Sequence, residues 1–135
     1  MEVEITINLT AAIVAAVASF VLGGIWYGPA FGKRWQSLVG LSDEDLANSG
    51  HPAKIFGAAF VLTFIQALML SVVIPAQPDI EVGLVYALVI GGSFVATAFG
   101  VNYLFSRYPR GLFAIDASFN VLQFAFMGAI IGAFG

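Results

Sequence analysis

Apolar residues fall into four long runs, at about 9–27, 55–74, 82–105 and 112–134, and polar residues collect between them and at the N-terminus. Each run holds about 20 or more residues, which is what an α-helix needs to cross a hydrocarbon core of roughly 30 Å. The pattern predicts an all-α fold, with residues 1–135 forming a single integral membrane four-helix bundle.

Each run has internal structure at 3.6 residues per turn. Asn8, Ala12, Ala16, Ser19, Gly23 and Trp26 share one stripe of the first, and Val14, Val17, Val21 and Ile25 lie opposite. Small side chains let helices approach closely in lipid, so the Ala/Ser/Gly stripe is expected to face inward. Ala59, Thr63 and Gln66 share a face of the second run, and Gly92, Ala96 and Gly100 form a small-residue stripe on the third. The fourth run offers two faces. Asp116, Asn120, Gln123 and Met127 fall within about 60° of arc. Gly128 and Gly132 form a GxxxG pair on another face, with Ala117, Val121 and Ala125, suited either to an oligomer or to a contact within the chain.

The connections carry their own signals. Gly28-Pro29 is expected to end or kink the first helix, because proline disfavours helical geometry in the residue before it. Phe31, Trp35 and Leu38 then recur at helical spacing, with Lys33, Arg34, Gln36 and Ser37 facing away, which predicts a short amphipathic helix in the interface. Ser42-Asp43-Glu44-Asp45 reads as an N-capped helix start. Pro52 suits a first turn. The short connections Pro75–Glu81 and Ser106–Gly111 are expected to make the second and third helices, and the third and fourth, antiparallel neighbours.

Composition supports the membrane assignment: 60% of residues are hydrophobic and 10% charged, where a soluble domain is about half apolar and a quarter charged. Lipid must therefore cover much of the chain. Lys33, Arg34 and Lys54 lie in the first connection, and Arg107 and Arg110 in the third. The positive-inside rule places those loops in the cytoplasm and both termini outside. The Met1-Glu2-Val3-Glu4 start lacks the basic region of a cleaved signal, so the first run is expected to be a retained span. A net charge of −3 gives no footprint for nucleic acid. The absence of cysteine excludes disulfides, thiolate metal sites and cysteine nucleophiles.

Asp116 is the one acid inside an apolar run. An ionisable residue in a membrane points to function, because placing it there is costly. The structural alternative is a carboxylate favoured by the helix N-terminus, about 6 Å from a start near Leu112. Trp26 and Tyr27 close the first helix on the same side, as Asn102 and Tyr103 close the third. With Asp116 and Asn120 they are expected to form a polar ligand-binding pocket in the cytoplasmic leaflet. Ser19, Gln66 and Gln123 share the midplane and are expected to make interhelical hydrogen bonds, worth about 0.6 kcal/mol each. Trp35 and Tyr108 suit an aromatic belt, and His51 suits an exposed loop. A faint echo links Gly24 and Tyr27 with Gly100 and Tyr103 at one offset. No second intramembrane acid, helical histidine or phosphate-binding glycine loop is present, so no catalytic residue, metal or cofactor is assigned.

The stretch Gly23-Gly24-Ile25-Trp26-Tyr27-Gly28-Pro29-Ala30-Phe31-Gly32-Lys33-Arg34-Trp35 resembles the signature of a family of small bacterial membrane proteins catalogued as domain of unknown function 1761. That family similarly has an asparagine near the start of its first helix, matched by Asn8. The resemblance covers essentially the whole chain and implies a four-helix integral membrane protein, and a multi-pass protein of the bacterial inner (cytoplasmic) membrane is expected. It implies no activity and no site residues. The chain is also the size of small multidrug-resistance transporters, but it lacks their acid in the first helix. The leading functional expectation is non-enzymatic binding or transport of a small or lipid-like molecule at the cytoplasmic-leaflet pocket. The alternatives are a structural or assembly partner of other membrane proteins and a cofactor-dependent membrane enzyme. A homo-oligomer is expected, since four short helices enclose little volume.

Overall fold

A computed structural model describes residues 7–48, 50, 52–75 and 79–134. Glu2, Glu4, Ser49, His51 and Pro78 lie outside the described residues. The described chain is helical, with α1 (Leu9–Ile25), α2 (Gly32–Val39), α3 (Asp43–Ala47), α4 (Pro52–Val73), α5 (Ile80–Leu88), α6 (Ala96–Ser106) and α7 (Arg110–Phe134). Two π-helical segments interrupt this series, Trp26–Ala30 after α1 and Val89–Val95 between α5 and α6. Four continuous helices, Leu9–Ala30, Pro52–Val73, Ile80–Ser106 and Arg110–Phe134, are long and apolar enough to cross a membrane. The chain is a multi-pass, four-helix membrane protein.

The first span begins where the Asn8 side chain accepts the Ala11 amide at 3.0 Å, an N-cap that satisfies a first-turn donor. Its inward stripe is as the periodicity predicts. Ala11, Ala12, Ala15, Ala16 and Ser19 are buried, and Val14, Val17, Val21 and Ile25 are exposed. Gly28-Pro29 does not stop the helix. Proline has no amide hydrogen and its ring collides with the carbonyl four residues back. The proline lies inside a wide π turn, where the Phe31 amide reaches back five residues to the Trp26 carbonyl at 2.8 Å. The chain bends at Phe31 and re-enters helix as α2. Gly32 sits so close to the Tyr27 carbonyl that a Cβ there would overlap it. Next, α3 is closed by a reciprocal cap, Ser42 to the Asp45 amide and Asp45 to the Ser42 amide, at 3.0 and 2.9 Å. The Ser42 amide holds the Asp45 carboxyl below the ordinary carboxylate range.

The last span, α7, lies at the centre. It packs against α1, α2, α4, α5 and α6. Its GxxxG pair works within the chain: Gly128 meets the backbone of Gly83 and the methyl of Ala87, and Gly132 meets the backbone of Asp79 and Ile80. Van der Waals contact of this kind is what holds helices together in lipid. The third span uses Gly83, Ala87, Gly91 and Gly100 against α7, and a Cβ on Gly92 would meet nothing within 4 Å. The expected Gly92, Ala96, Gly100 stripe therefore holds at Gly100 and is one residue out at Gly92. The π segment is the cause, since the Ala96 amide bonds the Gly91 carbonyl five residues back. A step of five replaces one of four and turns the Gly91 side, not the Gly92 side, onto α7.

The second and third spans are not the neighbours that their short connection suggests. The contacts of α4 are with α1 and, more lightly, α7. Six residues separate Val73 from Ile80, and a six-residue segment can span up to roughly 20 Å, well beyond the 8–10 Å between packed helices, so a short loop need not join adjacent helices. Met127 fills the centre of the core, with Ala11, Ala12, Ala15, Ala67, Leu70, Ala87 and Phe124 around it.

Candidate functional site

Asp116 is the centre of a buried polar cluster at the end of the bundle that carries the basic loops. It lies six residues into α7, about 9 Å from its start, beyond the first turn in which a helix terminus acts. Its carboxylate is engaged by other helices instead. The Tyr27 hydroxyl donates to Oδ1 at 2.6 Å, and the Tyr103 hydroxyl donates to Oδ2. Asp116 is 7% exposed. Among the described residues no lysine or arginine nitrogen lies within 4.0 Å of it. Two neutral donors thus hold an acid that has no cationic partner.

The cluster continues inward along α7. Asn120 Nδ2 donates to the Asp116 carbonyl at 2.8 Å, and Gln123 Nε2 donates to Asn120 Oδ1 at 2.9 Å. From α1, Trp26 Nε1 donates to the Ile115 carbonyl at 3.1 Å. Among the described residues every buried side-chain nitrogen and oxygen has a partner.

Aromatic rings wall the carboxylate. Tyr27 stands edge-on to Phe119 at 5.1 Å and to Trp35 at 5.9 Å. Trp26 packs on Phe31 at 4.7 Å and faces Phe119 at 6.4 Å. Tyr103 meets Tyr108, Phe99 and Phe113 at 5.1, 5.6 and 6.4 Å. Trp35 and Tyr108, expected as belt residues, therefore also form the outer shell of this site. Helix α2 closes the same end, with Leu38 and Arg34 over Gly111.

Of the six expected ligand-binding residues, Trp26, Tyr27, Tyr103, Asp116 and Asn120 come together. Asn102 does not. It is exposed on α6, because the helical turn that aims Tyr103 at α7 carries its neighbour 100° away. Of the midplane residues expected to bond between helices, Gln123 instead bonds Asn120 of its own helix. Ser19 bonds the Ala15 carbonyl of its own helix at 2.9 Å, not another helix. Gln66 bonds nothing in the described chain and is partly buried. Phe119 and Phe113 were not singled out from the sequence, and Phe31 was expected only on the apolar face of an interfacial helix. Phe119 carried one signal, its position three residues beyond Asp116, which places it on the next turn of the same helix.

A family model described as protein of unknown function (DUF1761) matches residues 10–132. The chain belongs to this family. No curated protein and no solved structure matches it. The family description assigns no activity, so the roles of the residues rest on geometry. That geometry gives the signature stretch a common purpose. Gly23 lies against the Phe119 ring, Trp26 and Tyr27 reach α7, Gly32 fits beneath the Tyr27 carbonyl, and Trp35 covers Tyr27.

Proposed function

We propose that this membrane protein binds or carries a small amphipathic cation, or a proton in its place, at Asp116. The observation that carries the reading is a carboxylate held by two tyrosine hydroxyls inside an aromatic shell, with no basic residue beside it. An intramembrane acid of this kind attracts a counter-charge. Ring faces favour an organic cation over a hydrated metal ion. With the basic loops inside, the site would lie in the cytoplasmic leaflet of a bacterial inner membrane, where an amphipathic or lipid-like molecule partitions.

A second reading has its own support. The pairing of every buried side-chain polar atom among the described residues is what a network that only positions helices would show, as in a structural or assembly partner. One titration separates the two. The only tryptophans, Trp26 and Trp35, both touch the site, so their fluorescence reports on it. In detergent, tetraphenylphosphonium is expected to quench it saturably, with quenching lost in a folded Asp116→Asn variant. Quenching that does not saturate, or that survives Asp116→Asn, leaves the structural reading.

A further inference from the structure

Gln66 lies within α4, about 11 Å from its nearer end, deep in the hydrocarbon. Its amide has no hydrogen-bond partner in the described chain. It lines an apolar groove of about 200 Å³ with Met69, Leu70, Val73, Ile90 and Phe124, open between the second and third spans. The groove exists because α4 packs on α1 and leaves its other flank uncovered. Along that flank Ile55, Ala59, Leu62, Gln66, Met69 and Val73 recur at alternating steps of four and three. This is the heptad spacing of a helix–helix seam, yet Ile55, Leu62, Met69 and Val73 are exposed.

We propose that this flank of α4 joins two copies of the chain about a two-fold axis normal to the membrane, with Gln66 bonded to the partner's Gln66. Three arguments select a second copy. Lipid chains offer no donor or acceptor at this depth, and an unpaired amide there is costly. An amide is both donor and acceptor, so it is complementary to itself. Copies that insert the same way round bring each depth opposite itself in a two-fold dimer. A single polar residue in an apolar seam fixes register, and the groove beside it receives partner side chains.

The chain has no cysteine, which makes single-cysteine cross-linking direct. In membranes treated with copper phenanthroline, Gln66→Cys is expected to give a covalent dimer. Val61→Cys, exposed on another face of α4, is expected to give none. In detergent, Gln66→Leu is expected to weaken dimerisation by roughly three- to twentyfold, and Gln66→Asn to weaken it less. A monomeric wild-type protein by light scattering overturns the proposal. So does cross-linking at Val61 equal to that at Gln66, or a Gln66→Leu dimer of undiminished strength. None of these outcomes depends on ligand binding at Asp116.

Discussion

The hydroxyls of Tyr27 and Tyr103, on two spans that run in the same direction, bond the two oxygens of one carboxylate, Asp116. The faint echo of Gly24 and Tyr27 in Gly100 and Tyr103 thus has a structural meaning at the tyrosines. Both flank α7, and both reach the same acid. Bonds of this kind fix the first and third spans relative to the fourth at one end of the bundle.

Replacing either tyrosine by phenylalanine removes one hydrogen bond to an ionisable group. Tyr27→Phe and Tyr103→Phe should each cost about 1.5–3 kcal/mol. Because they share an acceptor, their effects should be non-additive by about 0.5–3 kcal/mol. Unfolding in detergent of the two single variants and the double variant measures this. Strict additivity would show that the two bonds act independently.

Adjacent glycines in the third span should respond oppositely to alanine. A Cβ on Gly91 would lie 2.8 Å from Phe124 Cβ, while one on Gly92 would meet nothing. Gly91→Ala should therefore destabilise by about 1–3 kcal/mol through overpacking. Gly92→Ala should be neutral or stabilise by up to about 1 kcal/mol, because glycine is a poor helix former. A reversed order in thermal unfolding would place the π segment elsewhere.

The two asparagines expected in the pocket should also part company. Asn120 accepts from Gln123 and donates to the Asp116 carbonyl while buried. Its replacement by alanine should cost about 1–3 kcal/mol, since Gln123 is left unpaired. Asn102→Ala should change stability by no more than about 0.5 kcal/mol, as at other exposed positions. Comparable losses from both, measured as detergent melting temperatures, would return Asn102 to the site.

Topology is open to reporter fusions. An enzymatic reporter joined after Phe134 should be active only outside the cytoplasm, and one placed within residues 41–48 only inside, because all five basic residues lie in the first and third connections. A cytoplasmic signal from the C-terminal fusion would invert the protein and the leaflet assigned to the site.

Much of this architecture is local and could be read along the chain. Hydropathy sets the four spans, whose bounds differ from the expected ones by a few residues. Periodicity sets the alanine face of α1 and the Asp116–Asn120–Gln123 stripe of α7, since both are properties of one helix. Ser42 and the acids that follow it announce the N-cap of α3, while the reciprocal bond from Asp45 is seen only in the structure.

The arrangement of the helices was decided only in three dimensions. Lipid is as apolar as leucine, so the pattern within a span does not say which apolar face meets protein and which meets lipid. Nothing in sequence therefore marked α7 as central, assigned its GxxxG pair to Gly83 and Asp79, or left the Gln66 flank of α4 open. The π segment adds a second reason. Its five-residue step resets the helical phase, which moved the packed glycine from position 92 to position 91. The membrane spans follow from the chain's own chemistry, while their neighbours follow from which small-residue surfaces fit together.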